Sequence, residues 1–524
     1  MSHFARSSLI IAVFFGLDKI FGFVRALIVN RQFGLTYELD VFNAANNIPD
    51  LLSALISGGA LGVALIPVLS EFIERDGRSA AWDLFSRIIN FAFIVTGLIA
   101  VGIVLCAPWL VENVIAPGFP PGQKDLAIQL MRLDLFAILI FSISGLVMAG
   151  LQANQHFILP ALAPSLYNIG QIFGAVILAP QEGTTLGPIT LPGLGLGIHG
   201  LVYGVIIGAA LHLGIQLPGL LRYHFRWTPR IGFRHTGVRQ VLRLLAPRVI
   251  TMLFIQFFFL VRDNLASGMG EGAVTALNLG WFIMQVPETL LGTAIAIALL
   301  PTIAEIFARG ERENFRQSIN GAARAVLALT FPAAILLAVG IRPLAQAAFG
   351  FDPADTEMVV IATRFYLIGL TGHALLEIAS RSFYAQQDAT TPLIAAAINA
   401  RVYFTLAILL SKHFGFWGIA LANSIAFTSE ALFLLWLLDR RFPGIINIHK
   451  TLLRVFLSSG FVAAILYFTL HLEFTASLNT LLNAVVTAGA MLVGLAAIVP
   501  FIMPEIRLLI RLGGKGSNYL QGNS

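Results

Sequence analysis

Charged residues are scarce in this sequence. Only 11% of its 524 residues are Asp, Glu, Lys or Arg, whereas 57% are hydrophobic. Soluble domains carry about 25% charged residues, so this composition excludes a soluble core and indicates a polytopic membrane protein. Cysteine is nearly absent as well, because Cys106 is the one cysteine in the chain. A disulfide framework and a thiolate metal site are therefore excluded.

Sequence motifs of catalysis, metal binding and nucleotide binding are also missing. No two of the ten histidines are spaced i, i+4, and the chain contains neither an HExxH nor a GxSxG sequence. No GxxxxGK[ST] sequence is present, which argues against direct coupling to ATP. We predict a protein that is not an enzyme and that has no cofactor and no metal ion.

Long apolar runs are what the sequence does contain. A span of about 20 apolar residues crosses ~30 Å of hydrocarbon, and on this basis we predict an all-α polytopic membrane protein with about fourteen transmembrane helices. The predicted helices cover residues 7–30, 41–73, 84–112, 126–150, 160–180, 198–221, 240–268, 273–308, 319–347, 359–384, 390–412, 416–440, 450–472 and 476–511.

Basic residues occur mainly in alternate loops. If the N-terminus is cytoplasmic, nineteen Lys and Arg residues fall on the inside and five on the outside. This asymmetry is typical of membrane topology, so we expect both termini in the cytoplasm. The net charge of +6 therefore reflects orientation, and no basic and aromatic face for nucleic acid is present.

Three short sequences recur along the chain. Residues 67–73 match residues 301–307, residues 23–25 match 260–262, and residues 154–155 match 386–387, with offsets of 232–237. This spacing predicts two six-helix halves that are related by duplication. Because six is an even number, both halves enter the membrane from the same side. A parallel repeat of this kind is typical of transporters that work by alternating access.

The duplication suggests a division of the chain. We predict an N-terminal lobe at 1–221, a basic cytoplasmic linker at 222–239, a C-terminal lobe at 240–440, and two further helices with a cytoplasmic tail at 441–524. The basic stretch from Arg222 to Arg243 either sets orientation alone or also attracts anionic membrane lipid. We keep both interpretations.

Proline and glycine interrupt the second predicted helix and its repeat partner, the eighth. Pro49, Gly58 and Gly59 lie in the second helix, and Pro287 lies in the eighth. Such residues are tolerated in a membrane where neighbouring groups or water satisfy the freed backbone. They mark either bends and gates or close helix packing through small residues.

Cations predominate at four positions in the first and seventh predicted helices, which the repeat makes symmetry mates: Lys19, Arg25, Arg248 and Arg262. Each ionised group at mid-membrane costs roughly 2.5–3.5 kcal/mol. Either other helices satisfy these charges, or they line a cavity for an anionic ligand. Arginine binds phosphate bidentately and lysine adds a point charge, so such a cavity favours a diphosphate.

Two acids lie beside these cations. Asp18 and Lys19 are sequence neighbours that point apart on a helix, so they do not form a simple pair. Asp263 is either the structural partner of Arg262 or a site for a coupling ion. Both acids are candidates for ion coupling.

Several of these sequences together resemble the MurJ (MviN) family of lipid II flippases, of the multidrug/oligosaccharidyl-lipid/polysaccharide exporter superfamily. The resemblance extends over the whole chain. The matching sequences are KIFGFVR at 19–25, FG at 33–34, DVF at 40–42, IPDLL at 48–52, IPVLSE at 66–71, PALAP at 160–164 and FYAQQD at 383–388.

The resemblance implies two six-helix lobes in a V with a central cationic cavity for the pyrophosphate and sugar headgroup, and a groove for the polyprenyl tail on the last two helices. Arg25 falls on an essential family arginine, Lys19 replaces another with its charge kept, and Asp40 falls on a family aspartate. We therefore expect Lys19, Arg25, Asp40, Arg248 and Arg262 to bind substrate.

The chain departs from the family pattern at several positions. Ser53 and Phe282 stand where the family has arginines, Ala26 replaces the usual acid after Arg25, and Gly58 and Gly59 replace a Glu-Gly pair. Either Arg248 and Arg262 substitute for the missing arginines, or the substrate is a different lipid-linked glycan.

The expected function is translocation of the lipid-linked peptidoglycan precursor across the bacterial inner membrane, by a monomer that is driven by membrane potential or an ion gradient. The alternative is a related exporter of another polyprenyl-linked oligosaccharide, or an antiporter of small molecules.

Overall fold

The computed structural model describes residues 3–56, 60–186, 189–232, 234–472 and 478–521. The chain divides into two compact units, Met1–Glu271 and Gly272–Ser524. Gly58 and Gly59, which we predicted as bends, lie outside the described residues.

The first unit is built from helices and one short hairpin. Its helices are α1 (His3–Phe33), α2 (Tyr37–Ala45), α3 (Asn47–Ile56), α4 (Ala60–Arg75), α5 (Gly77–Leu110), α6 (Pro121–Ala153), α7 (Ile158–Phe173), α8 (Ile198–Gly214), α9 (Leu217–Arg222) and α10 (Thr236–Ala266). π-Helical turns extend α5 through Val111–Ile115 and α7 through Gly174–Leu178. Strands β1 (Thr184–Leu186) and β2 (Ile189–Leu191) pair antiparallel, with Thr185 opposite Thr190.

The second unit consists of helices over its described residues. They are α11 (Ala273–Pro287), α12 (Ala294–Ala308), α13 (Arg312–Phe349), α14 (Pro353–Ile368), α15 (Leu370–Ala385), α16 (Thr390–Phe414), α17 (Phe416–Arg441), α18 (His449–Leu470) and α19 (Thr480–Gln521). A π-helical turn, Glu288–Thr293, joins α11 to α12.

The predicted fold class is confirmed. Within the described residues, twelve helices or helix pairs are long and apolar enough to cross a membrane, and α1 together with α2–α4 accounts for the first two predicted segments. The β1–β2 hairpin was not predicted. It lies between α7 and α8, in a loop whose Gly and Thr residues carry little helical signal.

The second and eighth predicted helices are interrupted in the structure. The described residues of the second segment lie in α2, α3 and α4, and the break between α2 and α3 falls at Asn46. Pro49 lies in the first turn of α3, where its missing N–H costs nothing. Pro287 ends α11 immediately before the π-helical turn, because a proline inside a helix removes one backbone donor and crowds the preceding turn.

Apolar side chains form one main cluster in each unit. In the first unit the cluster joins α4, α5, α6 and the start of α10, with Leu65, Phe85 and Val241 fully buried. In the second it joins α12, α13, α15 and α17, with Ile303 and Phe315 fully buried. Helices α18 and α19 pack against α13 through a separate cluster.

The basic linker lies against α5. Trp82 donates its indole N–H to the carbonyl of Tyr223 (3.1 Å), and Asn90 donates its amide N–H to the carbonyls of Thr228 (2.7 Å) and Arg230 (3.0 Å). Helix α10, which follows the linker, packs against α3 and α4. Packing therefore groups α10 with the first unit, and the division at 222–239, which rests on sequence repeats rather than on packing, stays a prediction.

The repeated turn between the fourth and fifth helix of each half has the same backbone conformation in both copies. Gln155 and Gln387 have φ angles of 61° and 59°, which side chains other than glycine seldom adopt. The N–H of Gln155 donates to the carbonyl of Gln152 and that of Gln387 to the carbonyl of Tyr384, each at 2.9 Å. This agreement at an offset of 232 supports the duplication.

Candidate functional site: charged groups within the first unit

Helix α1 places Asp18 and Arg25 on one face, because residues seven apart almost coincide around a helix. This face meets α7. The amide N–H of Asn168 on α7 donates to the Asp18 carboxylate at 2.9 Å, and Arg25 interacts electrostatically with Tyr167 on the same helix. Asp18 therefore has a hydrogen-bond donor within the protein.

Three of the four predicted cations have no hydrogen bond or ion pair with any residue that the structure describes: Lys19, Arg25 and Arg248. Lys19 and Arg248 are exposed on the surface of the unit, and Arg25 is partly buried. The sequence left two interpretations, charges satisfied by other helices and charges that await a ligand. At Lys19 and Arg248 the described neighbours supply no such partner, whereas Arg25 interacts electrostatically with Asp50 and Tyr167.

Arg262 is arranged differently. Its Nε donates to the Asp263 carboxylate at 2.6 Å and its Nη2 to the other oxygen at 3.2 Å, and the two residues are 5% and 1% exposed. The Asn47 amide donates to Asp263 at 2.8 Å, and the guanidinium lies over the Phe259 ring, 5.1 Å from its centre. For Asp263, this geometry favours the structural partner over the ion-coupling site.

Hydrogen bonds at the end of α10 fix this ion pair in place. The Asn264 amide donates to the carbonyl of Val114 at 2.6 Å, and the N–H of Gly118 donates to the Ser267 hydroxyl at 3.0 Å. A Cβ at Gly118 would lie 2.3 Å from the backbone nitrogen of Gly268, so the two backbones approach as closely as glycine permits.

Asp40, which we expected to bind substrate, lies on α2 and is 2% exposed.

Two further acids belong to the same region, and we had not assigned them to a site. Asp134 on α6 is 4% exposed, and its Oδ1 accepts no hydrogen bond from the described part of the chain. Asp50 on α3 is exposed and interacts electrostatically with Arg25, Asp134 and Asp263. The sequence signal that could have identified Asp134 is an acidic residue within an apolar run. The sequence does not reveal which helices meet, so it could not have paired Asp134 with Asp50.

The departures from the family pattern are partly buried: Ser53 on α3 and Phe282 on α11. Over the residues described here, no group of three or more His, Cys, Asp or Glu side chains is arranged to hold a metal ion. Apolar helices with charged residues at membrane depth are the features of a multi-pass membrane transporter.

Sequence comparison then identifies the family. The model of the family described as lipid II flippase MurJ matches residues 29–506, so this chain belongs to the MurJ family. Its members are lipid flippases and not enzymes, which confirms our expectation of a transporter.

Two curated relatives are similar over most of their length. A lipid II flippase MurJ of Burkholderia cenocepacia is 29% identical over 480 residues, which is 89% of each chain. A probable lipid II flippase MurJ of Rhizobium tropici is 30% identical over 81% of this chain and 79% of its own.

Solved structures share the fold. A lipid II flippase MurJ in an inward closed conformation matches with a TM-score of 0.78 and 23% identity, over 96% of this chain and all of its own. An inward-facing multidrug resistance transporter of the MATE family matches with a TM-score of 0.69 and 15% identity, over 82% of this chain and 95% of its own.

Proposed function

We propose that this chain is a flippase that moves the undecaprenyl-diphosphate-linked peptidoglycan precursor, lipid II, from the inner to the outer leaflet of the bacterial cytoplasmic membrane. Its headgroup is held by membrane-embedded cations, and alternating access carries it across. Family membership supports this substrate, as do the two relatives, which are named as lipid II flippases. The protein acts as a monomer with both termini in the cytoplasm, without a cofactor.

The observation that carries the proposal is the set of cations that make no hydrogen bond or ion pair with the described residues. An ionised side chain at membrane depth is retained at a cost of several kcal/mol unless a counter-charge compensates it. Within the described residues, Lys19, Arg25 and Arg248 have neither a hydrogen bond nor an ion pair. A diphosphate provides several acceptor oxygens and negative charge, which are the groups that such cations bind.

Complementation tests this assignment. We expect Arg25→Ala and Lys19→Ala to abolish growth of a strain depleted of its own flippase, while protein levels stay unchanged. Loss of one charged hydrogen bond costs about 1.5–3 kcal/mol, which corresponds to roughly a ten- to hundredfold loss of affinity.

The matched control is Arg31→Ala, which removes an exposed arginine from the end of the same helix. Arg25→Lys keeps the charge and should retain partial function. Normal growth with both Arg25→Ala and Lys19→Ala would contradict the role of these cations.

A second candidate is export of another polyprenyl-linked oligosaccharide, or antiport of a small molecule. The observation that favours it is the loss of two family arginines at Ser53 and Phe282. Reconstituted protein in liposomes distinguishes the two candidates. Movement of lipid II supports the first, whereas transport of a different glycolipid with no movement of lipid II selects the second.

The energy source in this proposal is the membrane potential or an ion gradient. The sequence has no Walker A motif, and a transporter of this architecture couples conformational change to charge movement.

A further inference from the structure

Asp134 stands in an unusual environment for a carboxyl group. It is 4% exposed, and its Oδ1 has no donor among the described residues. An ionised carboxylate in an apolar interior without hydrogen bonds is so costly that the group takes up a proton instead. Burial without a donor to Oδ1 therefore favours the neutral form of this carboxyl group.

The surroundings of Asp134 reinforce this interpretation. Helices α2, α3, α4, α5, α7 and α8 pack against α6. Asp50 on α3 interacts electrostatically with Asp134, and when it is ionised it disfavours a second negative charge there. The neutral Tyr167 on α7 is the other titratable neighbour. Two nearby carboxylates disfavour simultaneous ionisation.

The remaining titratable groups on these helices do not contribute to the electrostatics of Asp134. They are Lys124, Asp125 and Arg132 on α6 itself, Tyr37, Glu38 and Asp40 on α2, Glu71, Glu74 and Arg75 on α4, Arg78, Asp83, Arg87, Cys106 and Glu112 on α5 and its π-helical extension, and His199, Tyr203 and His212 on α8. Asp50 differs from Asp134 because it is exposed and because Arg25 acts on it with a positive charge.

We propose that Asp134 and Asp50 form a proton-binding site within the membrane part of the first unit. Asp134 holds the proton and Asp50 is ionised beside Arg25. In the exchange step the O–H bond of Asp134 breaks, its electron pair stays on the carboxylate, and the proton passes to water or to Asp50.

Arg25 joins this site to the substrate. It acts on Asp50, and Asp50 acts on Asp134. An anion that pairs with Arg25 offsets its positive charge, so ionised Asp50 loses stabilisation and takes up a second proton. Anion and proton binding then reinforce each other, as linkage requires. This second step rests on the proposed function, whereas the proton site itself does not.

Infrared spectroscopy of the purified, ligand-free protein tests the proton site without a transport assay. We expect the wild type to show a carboxylic-acid C=O band at neutral pH that is absent from Asp134→Asn, which mimics the shape of the neutral acid. The matched control is Asp125→Asn, an exposed position near the N-terminal end of the same helix, and it should keep the band.

A second variant keeps the proposal testable if Asp134→Asn fails to fold. Asp50→Asn removes the neighbouring negative charge, so Asp134 should lose its proton at a lower pH than in the wild type. Identical bands in wild type and Asp134→Asn would overturn the proposal, as would loss of the band on adding Na⁺ at constant pH, since Na⁺ would then be the ligand. If the proton site is absent but the protein still moves lipid II, the proposed function stands and only the proton site is wrong.

Discussion

At the scale of single residues, Asp388 shows how a short loop holds a charge. Its carboxylate accepts the N–H of Thr391 at 2.9 Å, the Thr391 hydroxyl at 2.7 Å and the Arg441 guanidinium at 2.7 Å. Burial raises the pKa of Asp388, but these donors outweigh it and lower the pKa to about 2. The interactions link the start of α16 to the end of α17.

Asp388→Asn should destabilise the protein by about 1–2 kcal/mol at neutral pH. Because the folded pKa lies below the unfolded value, this stabilisation is complete above about pH 4 and is lost as pH falls toward 2. In thermal unfolding in detergent, the melting temperatures of the wild type and Asp388→Asn should therefore differ at pH 7 and converge as the pH is lowered.

Arg441→Gln is the control for that experiment. It should reproduce part of the loss, and the double variant should lose less than the sum of the two single variants. Melting temperatures that differ equally at pH 7 and at low pH would contradict the ionic origin.

Sequence reasoning reached the candidate site only in part. Ionisable residues inside apolar runs are visible in a sequence, and this identified Arg25 and the neighbours Arg262 and Asp263. Which charges meet depends on helix packing, so the link from Arg25 to Asp50 and from Asp50 to Asp134 was not visible. The substrate-binding roles of Lys19, Arg25, Asp40, Arg248 and Arg262 stay predictions.

At the scale of elements, the crossing of α7 and α8 depends on glycine. A Cβ on Gly170 would lie 2.3 Å from the Gly208 Cα, and one on Gly208 would lie 2.6 Å from the carbonyl of Tyr167. Small residues let membrane helices approach until their backbones touch. Neither backbone can move aside as a flexible side chain would.

Gly208→Ala should therefore destabilise the protein, by roughly 1–3 kcal/mol as for other overpacked sites. Gly214→Ala, at the end of the same helix, has nothing within 4 Å of the added Cβ and should be neutral or slightly stabilising, since Ala favours helix. The melting temperatures of the two purified variants provide the comparison. A loss of stability at Gly214 equal to that at Gly208 would contradict the packing explanation.

Elements differ in how well the sequence predicts them. Long apolar runs specify the helices, because backbone groups in lipid must be satisfied within the segment. Pro287 directly precedes a π-helical turn, and its role as a bend or gate stays a prediction. The π-helical turns at 111–115 and 174–178 were not predicted. They depend on local packing, and no sequence signal distinguishes them from ordinary helix.

At the level of the whole molecule, the fold class was predicted mainly from the composition and from the internal duplication. Low charge and fourteen apolar segments led to the fold class, and short shared motifs led to the family, which the match over residues 29–506 confirms. The compact units were less predictable. Asn264 and Ser267 bond to the loop after α5, so α10 packs with the first unit although its repeat position assigns it to the second half.

Because Gln155 and Gln387 share one backbone conformation, we expect that the sequence of one turn can replace that of the other. The hydrogen bonds of Gln155 and Gln387 are made by the backbone, so a graft of residues 385–388 in place of 153–156 should fold with little change in melting temperature. A graft displaced by one position would put a different residue at the positive φ and out of register with its partners. Equal melting temperatures for the aligned and displaced grafts would argue against interchange. If only the aligned graft is tolerated, the backbone geometry of this turn has been kept in both halves while its side chains have changed.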